Sequence, residues 1–163
     1  MIEKCRILYK GDIIASGFYI FIGVLLAVAG FLLFQYTDAQ RFKFLSISLL
    51  LFFIYCTGKG ILMYIVSSQR YNYYVNTPIL TSKDFKEEIV YTEYRMHKKY
   101  TNRRKYIWTI IISSMLAFVS IFTSSGAFIA GTCIPVALIA AAEFCIGLLT
   151  EFRLREYYRI LLK

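Results

Sequence analysis

Four long apolar runs constrain this chain more than any other feature. They cover residues 13–34, 44–66, 106–122 and 127–149. The first and third carry no charge, the second carries only Lys59 and the fourth only Glu143. A helix that crosses a bilayer needs about 20 mostly apolar residues, because the hydrocarbon core is about 30 Å thick and each residue rises about 1.5 Å. A chain of 163 residues leaves little else to wrap four such runs as the buried helices of a larger protein. Hydropathy therefore predicts an all-α, polytopic membrane protein. Its four transmembrane helices would form two antiparallel hairpins with cytoplasmic helical extensions, in a single four-helix domain over residues 1–163. The first run spans 22 residues, longer than a signal-peptide core, and is read as a retained helix.

Charge placement sets the expected orientation. Of the 19 Lys and Arg residues, all but Arg41, Lys43 and Lys59 fall in the N-terminal segment, the 67–105 connection or the C-terminal tail. The positive-inside rule then puts both termini in the cytoplasm, and the expected location is a bacterial inner membrane. The net charge of +9 follows from that topology and from attraction to an anionic inner leaflet. The expected partners are therefore membrane lipids, with a second copy or another membrane-complex subunit. Nucleic acid is not expected, because no groove-reading motif is present.

The 67–105 connection reads as a cytoplasmic helical loop. A break is expected at Pro78, which lacks an N–H, and a new helix start at Thr81 with Asp84 three residues on. Residues 150–163 read as an amphipathic cytoplasmic tail. The cations expected to meet lipid or a partner are Arg95, Lys98, Lys99, Arg103, Arg104, Lys105, Arg153, Arg155 and Arg159.

Lys59 and Glu143 are the candidate polar site. Each lies eight residues before a cytoplasmic exit, at Ser67 and Glu151, so the two share a depth. Tyr19 and Ser113 or Ser114 fall in the same layer. Such a pair can fix helix register, or it can form a site for an ion, a proton or a ligand head group. Gly23, Ala27 and Gly30 make a close-approach face on the first run, and Pro135 can kink the fourth. The chemical inventory is thin. Four cysteines form no CxxC pair, His97 stands alone, and neither a nucleophile elbow nor a phosphate loop is present. No metal, cofactor or catalytic residue is expected. The functional expectation is a non-enzymatic inner-membrane subunit or homo-oligomeric effector, a pore-former being one form, with a basic cytoplasmic contact surface. The alternative is a small transporter or an ion or proton pathway centred on Glu143 and Lys59.

Overall fold

A computed structural model describes residues 2–76, 82–123 and 126–162. It is all-α. Helix α1 covers Ile2–Tyr36, α2 Gln40–Asn76, α3 Ser82–Val119 and α4 Gly126–Leu161. The break expected at Pro78 and the start expected at Thr81 lie outside the described residues. The helices are long because little interrupts them. The chain has two prolines, and one of them, Pro135, lies inside α4, which continues through it. Helices of 35 to 38 residues run for about 55 Å, well beyond the hydropathic boundaries. The 67–105 connection is accordingly divided between the end of α2 and the first half of α3.

Packing is uneven around the bundle. α1 lies along α2, α3 along α4, and α4 also along α2. Glycines set the closest contacts. A Cβ on Gly60 would come within 3.1 Å of the Ser16 carbonyl oxygen on α1. On Gly131 it would come within 2.9 Å of the Leu45 backbone nitrogen on α2. Gly30 receives the Ser46 hydroxyl on its carbonyl at 2.7 Å. A 3₁₀ turn, Ser120–Phe122, joins the second hairpin, and a Cβ at Gly126 would collide with the Ser120 carbonyl.

The apolar core sits at the end that holds both termini. Leu8 and Tyr9 of α1, Tyr74 of α2 and Leu154, Tyr157 and Leu161 of α4 are buried together, with Phe85 and Ile89 of α3 packed against them. The apolar side of the 150–163 tail is thus turned inward.

The expectation of a lipid-embedded polytopic bundle in an inner membrane is corrected by what fills the interior. That reading supposed one charged pair in an otherwise apolar core. Asp12, Glu88, Glu143 and Glu151 are all buried, and each faces a cation from another helix. Ion-paired, hydrogen-bonded interiors of this kind belong to a self-contained helical bundle, and with them the transmembrane, pore and transport assignments fall. By length and composition alone, all four helices remain apolar enough to cross a membrane. Many large side chains on their outer faces, including Phe18, Phe21, Phe31 and Phe118, are exposed.

Two outcomes check this fold. Gly131→Ala should lower the thermal midpoint, because its new methyl meets α2 backbone. Gly17→Ala, which meets nothing within 4 Å, should be neutral or raise stability by up to about 1 kcal/mol through helix propensity. Release of the chain from cell membranes by alkaline carbonate is the result the corrected reading requires, and retention with the lipid would overturn it.

Candidate functional site

Helical spacing turns one mixed polar stripe of each helix inward. On α1 the buried positions are Cys5, Leu8, Tyr9, Asp12, Ala15, Ser16 and Tyr19, recurring every three or four residues. On α3 Glu88, Thr92 and Ser113 are buried, and Arg95, Lys99 and Tyr106 are half-buried. A carboxylate on such a stripe must find donors on the facing helices, because burial removes its water.

Glu88 is held by a cage of phenols. Tyr9 and Tyr74 each donate to it at 2.7 Å and Tyr157 at 3.3 Å, while Arg70 pairs with it at 3.3 Å. The Tyr9 and Tyr74 rings stack with centroids 5.6 Å apart, and the Arg70 guanidinium lies 3.5 Å from the Tyr91 ring centroid. Burial, reinforced by the Glu88 charge, pushes all three phenols above the ordinary tyrosine value, so they remain donors. The Cys5 thiol contacts the Tyr157 hydroxyl at 2.8 Å, and burial pushes it up as well.

Asp12 receives Arg95 at 2.6 Å, with Arg153 at 3.6 Å. Arg153 reaches it across Gly11, where a Cβ would strike the guanidinium. Glu151 is paired by Arg155 at 2.6 Å and Arg103 at 3.5 Å. Glu143 pairs with Lys59 and accepts hydrogen bonds from Tyr19 at 2.8 Å, Tyr55 at 3.1 Å and Tyr106 at 3.4 Å. The lysine side chain is 29% exposed and the glutamate 5%, so the cation faces outward from the pair.

What Lys59 faces is a cleft of about 640 Å³ between α2 and α3. Backbones of α2 and α3 make no close approach among the described residues. The two walls differ. Leu62, Met63 and Val66 of α2 form an apolar side, with Phe144 of α4 beside them. Arg95, Lys98, Lys99 and Arg103 of α3 form a cationic side, with Tyr91, Tyr94 and Asn102 among them. Lys99 has no carboxylate partner among the described residues. Burial pushes its ammonium below the ordinary lysine value; the nearby Lys59 charge adds to that, and the Glu143 and Asp12 charges partly oppose it.

The sequence-derived site residues divide accordingly. Lys59, Glu143 and Tyr19 come together. Ser113 is buried but spends its hydroxyl on the Thr109 and Ile110 carbonyls of its own helix, and Ser114 is exposed. Gly23 and Gly30 pack on α2, Ala27 is half-buried and Pro135 is buried. Arg95, Arg103, Arg153 and Arg155, assigned to lipid contact, pair instead with buried carboxylates, which corrects the anionic-leaflet partner. Arg159 pairs at the surface with Glu156 at 3.2 Å, and Arg104 and Lys105 are exposed. Sequence reasoning missed Asp12, Glu88, Glu151 and the phenols of Tyr9 and Tyr55. The signal was present for Asp12, which falls in step with Cys5, Tyr9, Ser16 and Tyr19. Among the described residues, no group of three or more His, Cys, Asp or Glu side chains is placed to hold a metal.

Fold and site together define a four-helix bundle with an ion-paired interior and a cleft between α2 and α3 whose α3 side is the more cationic. No family model, curated protein or solved structure matches the chain.

The Glu143 cluster makes a ranked prediction. Glu143→Leu strands Lys59 and three phenols, and should destabilise by about 3 kcal/mol or more. Lys59→Met leaves the carboxylate with three phenolic donors and should cost about 1 kcal/mol. Denaturation midpoints check the order, and equal losses would show that the ion pair alone holds the carboxylate.

Proposed function

We propose that this protein is a non-enzymatic binding module, and that the α2–α3 cleft takes a ligand with an anionic head and an apolar body. The observation that carries this reading is the unpaired, half-buried Lys99 on the cationic wall, opposite an apolar one. A half-buried ammonium with no carboxylate in direct contact is held at a cost in solvation, and an anion in the cleft lowers that cost. The volume falls within the roughly 300–1,000 Å³ range of small-molecule sites. Leu62, Met63, Val66 and Phe144 offer an acyl or aromatic body its contact surface. Lys59 lines the same cleft but is already paired with Glu143. The tyrosines and Asn102 add neutral donors.

The probe is octanoate, with octanol as the uncharged control, each titrated calorimetrically into the intact chain. Octanoate should bind saturably at one site, and octanol should not. Lys99→Met should weaken octanoate by about tenfold, the loss of one charge-assisted contact. Equal binding of octanol, or an unchanged affinity in Lys99→Met, would remove the proposal.

A further inference from the structure

The charge inventory of the cleft says more about the head group, on the premise that the cleft is a binding site. Five cations line it: Lys59, Arg95, Lys98, Lys99 and Arg103. Three are already committed, Lys59 to Glu143, Arg95 to Asp12 and Arg103 to Glu151. Asp12 also faces Arg153, Glu151 also holds Arg155, and Glu143 is occupied by three phenols. Lys98 and Lys99 are the two that make no ion pair among the described residues, Glu143 and Asp12 acting on Lys99 only at longer range. Lys98 is exposed at the rim, its ammonium 5.8 Å from the centroid of the Tyr94 ring, and Lys99 is half-buried further in. The cleft thus holds two lysines without a direct ionic partner among the described residues, one half-buried and one at the rim.

We propose that the head group seated here is a phosphate monoester, which carries close to two negative charges at neutral pH, joined to an apolar body. A carboxylate or a phosphodiester would neutralise only one of the two lysines. A monoester has three terminal oxygens, enough to meet both ammoniums and still accept from Asn102, whose amide makes no hydrogen bond among the described residues. The single ester oxygen leaves the rest of the ligand free to lie on Leu62, Met63 and Val66. The source of the phosphate is decided by the apolar wall. Free phosphate would use the cations alone, whereas a phosphorylated alkyl or aromatic compound would use both sides.

The test compares octyl phosphate, its methyl diester, inorganic phosphate and octanoate at pH 7.4 on the intact chain. Octyl phosphate should bind at least about tenfold more tightly than the diester, which lacks one charge. It should also bind more tightly than inorganic phosphate. Lys99→Gln and Lys98→Gln should each bring the monoester-to-diester ratio down to about two. Neither variant should lower the thermal midpoint, since neither removes an ion pair, so lost preference would not reflect misfolding. Saturable octanoate binding with a wild-type ratio near one would overturn the phosphate assignment and leave the cleft reading standing. Equal binding of inorganic and octyl phosphate would overturn the apolar body. Binding of none of the four would defeat both proposals.

Discussion

Buried carboxylates without water must be met by donors from elsewhere in the fold, and this requirement organises the molecule. Asp12 stands on α1, Glu88 on α3, and Glu143 and Glu151 on α4, and each takes at least one cation from a different helix. Leaving any one uncompensated would cost several kcal/mol, on the order of half the stability of a typical domain. A slide of one helix by a turn, about 5.4 Å, would separate several of these pairs at once. The clusters therefore fix axial register, which exposed apolar stripes alone would leave loose. Their donors are phenols as often as cations. A phenol kept neutral by its surroundings can satisfy a carboxylate without bringing in another charge that must itself be solvated.

The same side chains determine how far apart the helices stand. α1 and α2 meet through Gly23, Gly30 and Gly60, so their backbones come close. α3 reaches α1 and α2 through long groups, Arg95 to Asp12, Tyr9 to Glu88 and Arg70 to Glu88. A guanidinium or a phenol acts as a spacer several ångströms long. The cleft is thus the geometric consequence of joining one pair of helices by glycine and another by arginine and tyrosine.

Much of the helix content was legible in the sequence, because the apolar runs are long and interrupted by almost no proline. The shared depth of Lys59 and Glu143 was legible too, from counting turns to a common end. Asp12 was lost because the first run was drawn from residue 13, which cut the charge from the stripe it belongs to. Glu88 was not singled out, since nothing local reveals that three tyrosines from three other helices converge on it. Arg95 and Arg153 lay far along the chain from Asp12, so their basic character was assigned to a lipid surface. Hydropathy windows average over a helix and cannot say which face is buried. Here the apolar side chains lie largely on the outside and much of the polar stripe on the inside.

That inversion leaves two demands unmet inside a single chain. The outer faces carry exposed Phe18, Phe21, Phe31 and Phe118, a larger apolar area than isolated soluble chains ordinarily show, and such areas mark surfaces that something covers. The cleft carries the opposite imbalance, two lysines that make no ion pair among the described residues. The two differ in what can relieve them. Apolar area is non-directional and accepts any apolar cover. The cationic wall is directional, since the helix holds Lys98 and Lys99 on adjacent positions about 100° apart around its axis. Closing α3 onto α2 would bury both lysines against Leu62 and Val66 without an anion, so the gap stays open on electrostatic grounds. An anion that enters converts the same wall from a spacer into an attraction, and α2 and α3 can then share one occupant where they share no backbone contact.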